Sequence, residues 1–288
     1  MRSPFIAQLM LLSFVVAMTI GHVSAVHAAS LEDTILASNP VVYYRLDETD
    51  KSNGQTAANL GSAADGTYVA SVQNVTDPLP TIGGNAAGFD ATGNDRVRLS
   101  SLASFPTTQV TATTWVRGDA AANSEATIYS YDVSGQGNEF LLINQSGNWR
   151  IFVDGTTAIT SVTEAEVLDG DWHHIAVTWD STTGDANFYL DAVLQDTVNL
   201  EMGTSLATGG TLVLGQEQDG LDTGYNASQR LIGDLDEFAL FNTVLTQDQI
   251  TAQFNAALAV PEPATIAIWS LLGIGLAGFG IFRARRRR

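Results

Sequence analysis

The sequence predicts an all-β fold of two packed antiparallel sheets, and three observations carry the prediction. Between Val41 and Leu240, short runs of alternating apolar and polar residues recur, each bounded by Gly, Asn, Asp or Ser. Helical periodicity is confined to two short stretches at the ends of that region. The chain has no cysteine, so such a domain must be held by burial of its own apolar surface, and its length is ample for that.

In chain order, the first helix is SLEDTILAS, with Ser30 as N-cap and Asp33 three positions on. Strands are then expected at VVYYRLD (41–47), RVRLS (96–100), QVTATTWVR (109–117), ATIYSYD (126–132), EFLLIN (139–144) and NWRIFVD (148–154). They continue at WHHIAVTWD (172–180), ANFYLDAVLQ (186–195), TLVLG (211–215) and LIGDLDEFALF (231–241). The turns QSGN (145–148) and STTGD (181–185) have hairpin chemistry. A second helix follows in LTQDQITAQFNAAL, where Thr246 and Gln249 have capping-box spacing and Leu245 can staple to Ile250. Ile250 and Phe254 share a face and are expected to close the core.

The two ends read differently from this body. Residues 1–28 have the layout of a signal peptide: Arg2, an apolar run from Leu9 to Ile20, and small-residue cleavage sites of which Ala28 is preferred to Ala25. ATIAIWSLLGIGLAGFGIF (264–282) carries no charge, and 19 residues at about 1.5 Å each cover about 28 Å, the thickness of a hydrocarbon core. Five arginines follow it (Arg283, Arg285, Arg286, Arg287, Arg288), which predicts one C-terminal transmembrane helix with the body outside. From Leu31 to Val260 there are 30 acidic residues and seven basic ones, a balance that excludes nucleic acid as a partner and favours cations.

Strand TLVLG ends in four oxygen-bearing side chains, Gln216, Glu217, Gln218 and Asp219. A hard cation takes six to eight oxygens from carboxylates, carbonyls and amides on a loop free to wrap it. Glu217 and Asp219 are two apart and point to one side of an extended segment, Gln218 offers its carbonyl, and the loop returns Asn226 and Gln229. The alternative is a solvated acidic turn. His173 and His174 are adjacent, so on a strand they face opposite ways and cannot chelate one ion together. Asp234 and Asp236 share a face and would suit a glycoside hydrolase if they flanked a cleft. Trp115, Trp172, Trp179, Phe188 and Phe238 are expected in the core, with Tyr225 and Trp149 as candidates for stacking on a sugar.

The motifs YYRLDE (43–48), AGFD (87–90), TATTWVR (111–117), DGDWHHIAVTWDSTTGDANFYLD (169–191) and GDLDEFALFNTVLTQDQI (233–250) resemble, in this order, the laminin G-like domains of concanavalin A-like fold. That resemblance implies a two-sheet jelly-roll sandwich over residues 31–258. LVLGQEQD followed by SQRLIGDLDE resembles the C-terminal half of the pentraxins, whose matching stretch carries calcium. Carried over, the ligands here are Asn138, Glu217, Gln218 through its carbonyl, Asp219 and Gln229. Gly137 stands where the family has an acid and Asn226 where it has a second glutamate, which implies one calcium ion and not two. Thr113 and Ala176 stand near the family's cysteine pair. VPEPAT, the spanning segment and the arginine tail (260–288) resemble a PEP-CTERM sorting signal with Pro261, Glu262 and Pro263 in its motif. It implies processing by an exosortase and delivery to the cell surface or extracellular matrix. The expected function is non-catalytic binding or adhesion, to an extracellular polysaccharide or glycoprotein. A hydrolase on the same fold, or a purely structural matrix protein, is the alternative.

Overall fold

The computed structural model describes residues 29–259 apart from 77, 78 and 80–82. The expected signal peptide, the sorting motif Pro261, Glu262, Pro263 and the spanning segment 264–282 lie outside the described residues. Among the described residues no helix is long and apolar enough to cross a membrane.

Helix α1 (Leu31–Leu36) starts where Ser30 Oγ accepts the Asp33 N–H at 3.0 Å, as the N-cap pattern predicts. Strand β1 (Val42–Tyr44) is followed by four short strands, β2 (Thr56–Ala57), β3 (Gly66–Val69), β4 (Gln73–Thr76) and β5 (Asn85–Phe89), then by β6 (Arg96–Leu102) and β7 (Gln109–Gly118). A meander of β8 (Thr127–Val133), β9 (Gln136–Gln145), β10 (Asn148–Val153) and β11 (Thr156–Thr163) leads into the one-turn helix α2 (Glu164–Val167). The chain continues through β12 (His173–Asp180), β13 (Asp185–Leu190), β14 (Val193–Asn199), β15 (Gly210–Leu214) and β16 (Gly233–Phe241). It ends in α3 (Gln247–Leu258), whose Thr246 and Gln249 form the expected capping box.

These strands make two sheets. The first runs β14-β13-β12-β7-β16-β5-β4, with β1 also paired to β16; the second runs β11-β10-β9-β8-β15-β6-β3-β2. Strands far apart in sequence lie side by side, β7 with β16 and β8 with β15, both antiparallel, so the two packed sheets predicted from the strand pattern, and the jelly-roll sandwich implied by the resemblance, are the fold observed. Between the sheets lies one core containing Trp179, Phe188, Phe238, Tyr129 and Phe140. A second apolar layer covers the outer face of the first sheet, where α1 and α3 set Leu31, Ile35, Ile250 and Ala257 on Tyr43, Trp115 and Ala176.

Four expectations change. ANFYLDAVLQ is not one strand but the hairpin of β13 and β14, because Asp191 and Ala192 take φ of 50° and 63°, the geometry of a two-residue turn. VVYYRLD stops pairing after Tyr44, and Leu46 at φ 60° turns the chain away. Ile250 and Phe254 close the outer layer and not the space between the sheets, Phe254 stacking on Trp115 with ring centres 5.6 Å apart. Trp149 is fully buried in the main core, which removes it as a sugar platform.

Candidate metal centre

The strand ends in oxygens because its last pairing residue is followed by a position only glycine fills. Gly215 has φ 83°, and a Cβ there would lie 2.6 Å from the Phe89 ring. The chain turns out of the sheet, and the loop 216–230 closes on itself: Glu217 N–H donates to the Gln229 carbonyl (3.1 Å) and Leu231 N–H to the Gly215 carbonyl (2.9 Å). Gln218 is a clip: its Nε2 donates to the carbonyls of Thr211 (2.8 Å) and Ser130 (3.2 Å), and its Oε1 accepts the Asp222 N–H (3.0 Å). The loop is thereby fastened back over β8.

This fastening brings the loop to a residue the sequence pattern did not single out. Asp132, near the end of β8 and opposite Thr211 of β15, is fully buried. Its Oδ1 accepts the N–H of Asn138, which takes φ 60° near the start of β9. Several side-chain oxygens in this region are buried without a hydrogen-bond partner, among them Asp132 Oδ2, Asn138 Oδ1 and Glu217 Oε2, with Glu139 Oε2 and Gln216 Oε1 beside them. Such groups are rare in folded proteins, because each forfeits its hydration. The carboxylates also repel one another. Burial, then Asp219 and Asp132, push the Glu217 carboxyl up to about 8; burial, against the backbone N–H groups of Asn138 and Glu139, pushes Asp132 up to about 6, with Asp219 adding to it. Among the described residues no Arg, Lys or His forms an ion pair with Asp132, Glu217 or Asp219.

Buried Glu217 and Asp132 thus lie under the half-buried Asn138, and Asp219, exposed, is at the rim. Gly137 explains the place of Asp132. A Cβ at Gly137 would lie 4.0 Å from both Asp132 Oδ2 and the Asp219 carbonyl. A carboxylate from β8 thus stands beside the position from which the pentraxin resemblance misses one. Pairing β8 with β15 in sequence would have exposed this, since Asp132 falls at the end of a recognised strand facing the strand that bears the loop. Asn226 stays apart: its Oδ1 caps Ser228 (N–H and Oγ, each 3.1 Å) and its carbonyl accepts from Gln216 Nε2 at 2.7 Å. Gln229 offers its carbonyl to Glu217 and keeps a half-exposed side chain. Among the described residues no three carboxylates or imidazoles gather tightly enough to hold a metal by themselves, so amide and carbonyl oxygens would have to complete any shell. The orphaned oxygens, all of hard-donor type, fit a calcium ion held by Asp132, Asn138, Glu217 and Asp219.

The other constellations resolve into structure. His173 sits between Asp191 (Nδ1 to Oδ2, 2.8 Å) and Asp169 (Nε2 to Oδ1, 3.1 Å), while His174 turns to the opposite face against Trp115 and Phe254, where burial pushes its imidazole down to about 4. Asp234 takes a forked pair of bonds from Arg117 (2.9 and 2.7 Å), and Asp236 is buried, so the two do not flank an open cleft. Tyr225 remains in the loop, with the Arg96 guanidinium 4.0 Å over its ring and its hydroxyl donating to Asp222 (2.6 Å). Thr113 and Ala176 are register partners across β7 and β12, facing one another where the resemblance places a cysteine pair.

Comparison with known proteins places the chain in a family. C-reactive protein 1.4 of Limulus polyphemus is 34% identical over 157 residues, 53% of this chain and 64% of that protein. The rat sushi, von Willebrand factor type A, EGF and pentraxin domain-containing protein 1 is 33% identical over 171 residues, 59% of this chain but 5% of that protein. The chain thus spans less than two thirds of these relatives. In fold alone it is similar to the binding domain of botulinum neurotoxin DC, solved with rat synaptotagmin II (TM-score 0.56, 12% identity, 77% of this chain and 52% of that one). It is equally similar to a sialidase of Trypanosoma rangeli (TM-score 0.55, 14% identity, 78% and 34%). Residues 90–278, which include both the β8–β9 turn and the loop 216–230, match the Pentaxin family, and to that family the chain belongs.

Proposed function

We propose that this protein is an exported binding protein in which one calcium ion, held by Asp132, Asn138, Glu217, Asp219 and the Gln218 carbonyl, orders the loop 216–230 and presents it to an extracellular ligand. The observation that carries the reading is the set of buried oxygens Asp132 Oδ2, Asn138 Oδ1 and Glu217 Oε2, without a hydrogen-bond partner and, among the described residues, without an ion pair to Asp132 or Glu217. A bound divalent ion would supply positive charge to these oxygens and a coordination position to an acidic or hydroxyl-bearing ligand. Asp219 is exposed, which puts the ion within reach from outside. Tyr225 with Arg96 stacked on it lies in the same loop and offers a flat face for a polysaccharide or glycoprotein sugar. Membership of the pentraxins and the strongly acidic body support the calcium reading; the signal-peptide and PEP-CTERM patterns support delivery to the cell surface or matrix after exosortase processing, with residues 264–282 holding the membrane until then.

The test is thermal unfolding of the purified protein with millimolar calcium and with chelator. An ion that binds only the folded state must raise the midpoint, by about 2.7 kcal/mol of stability at a hundredfold excess over Kd. The shift is expected to vanish in Glu217→Gln with Asp219→Asn. Equal midpoints in calcium and chelator would reduce the loop to a solvated turn.

A further inference from the structure

Lys51 is the sole lysine in the chain, and it is 2% exposed. Lysine is almost never buried unless an acid pairs with it. Among the described residues no carboxylate forms an ion pair with Lys51. Its Nζ instead donates to the Glu48 carbonyl and, at 2.9 Å, to the side-chain carbonyl oxygen of Asn74. The two segments are held together by their own backbone: Ser52 and Ser71 form a bridge, and Ser71 N–H donates to the buried Asp95 (2.8 Å). Lys51 lies in the connection that leads into the second sheet, and Asn74 in β4, the edge strand of the first.

We propose that Lys51 and Asn74 become joined by an intramolecular isopeptide bond. The contact places the amine beside the amide it would attack: Nζ donates to Oδ1 at 2.9 Å, and Cγ is the atom bonded to that oxygen. Burial lowers the affinity of the amine for its proton, despite the opposing charge of Glu48. A desolvated, neutral lysine is a nucleophile. The Nζ lone pair adds to Cγ of Asn74, the Nζ–Cγ bond forms, the Cγ–Nδ2 bond breaks, one proton passes from Nζ to Nδ2, and ammonia leaves. Neither oxidant nor co-reactant is consumed. The proton must be lent and recovered by an acid, and we assign that relay to Asp236, a carboxyl 1% exposed whose field reaches Lys51. Burial beside Glu237 pushes the Asp236 carboxyl well above the ordinary range, so it carries a proton to lend. Asn74 is on the exposed edge, beside an open cleft of about 430 Å³ lined by residues 49–53 and 70–74, through which ammonia escapes. The product would clip the two sheets together at one edge in a chain that has no cysteine for a disulfide.

Having a single lysine makes the test direct. Trypsin cuts after free lysine but not after one whose Nζ is acylated. Digestion of the denatured full chain is expected to give one bridged peptide, Leu46 to Arg96, lighter than its sequence by one ammonia. Asn74→Ala is expected to give two peptides, Leu46 to Lys51 and Ser52 to Arg96, at their sequence masses. Asp236→Asn should accumulate uncut product slowly while the protein still unfolds cooperatively on heating. Two separate peptides at sequence mass from the wild-type chain, with Lys51 open to an amine-reactive label after denaturation, would overturn the proposal.

Discussion

Two regions of this molecule bury carboxylates, and they treat them in opposite ways. At the bulge of β16, Glu237 is 2% exposed, yet Tyr43 donates its hydroxyl to it and Arg45 lies 3.5 Å away, itself shared with Glu32 and Asp47. Burial pushes Glu237 up to about 7, and the phenol and guanidinium hold it from going further. At the end of β15, Glu217 is as deeply buried, and the charged groups that act on its carboxyl are the acids Asp219, Asp132 and Glu125. The first site is complete within the chain. The second has no such partner among the described residues, and it is there that the proposed calcium ion would sit.

Removing Arg45 should turn the first site into a copy of the second. Arg45→Met is expected to cost about 3 kcal/mol, the usual penalty for stranding one member of a buried pair. Because no oxygen cage surrounds Glu237, calcium should not recover the loss; recovery measured by chemical denaturation would break the comparison. The converse change at the second site should stabilise. Glu217→Gln removes a buried charge without a partner, and the metal-free protein is expected to gain about 2 kcal/mol while losing its response to calcium.

The same contrast has a pH signature. Glu217 has a folded-state pKa raised from 4.5 to about 8, so its contribution is favourable below pH 4.5 and is lost as pH rises through about 8. Asp132 follows the same sign between 3.8 and about 6. Metal-free protein should therefore lose stability across that window. Subtracting the Glu217→Gln profile isolates the site, because the Asp236 and Glu237 pair contributes to both proteins. Asp132→Asn is expected to recover about 1 kcal/mol without metal and to weaken calcium binding about tenfold, since charge count sets affinity. An unchanged affinity would remove Asp132 from the shell and leave Asn138, Glu217 and Asp219.

The legible part of this protein was what depends on local pattern. The alternating runs gave the long strands except β11, whose TTAITSVT was not expected, Ser30 and Thr246 gave the helix starts, and QEQD gave the loop. The short strands β2 to β5 escaped because two to five residues carry too little alternation to stand out. Asp132 escaped for another reason: nothing in YSYD marks it, and it becomes part of a site only when β8 pairs with β15, about 80 residues away. Trp149 was misplaced because proximity to a turn says nothing of which sheet face a side chain takes.

A third titrating group sharpens the comparison at its weakest end. His173 is pinned between Asp191 and Asp169, and the hydrogen bond to Asp191, ahead of the opposing effect of burial, raises its pKa above 6.5. A raised pKa means that the imidazolium stabilises the fold fully below pH 6.5, and that this contribution is lost as pH rises through the folded-state value. His173→Gln should cost about 0.5–1 kcal/mol in mild acid, a range set by the exposure of Asp169, and nothing once the wild-type imidazole is neutral. Here a cation of the chain's own switches off with rising pH, while at Glu217 an uncompensated anion switches on. Thermal midpoints of His173→Gln and Glu217→Gln, taken without metal across the same pH range, should therefore move in opposite directions relative to wild type. If both variants shifted alike, the charge at 173 would be doing something other than holding Asp169 and Asp191 together.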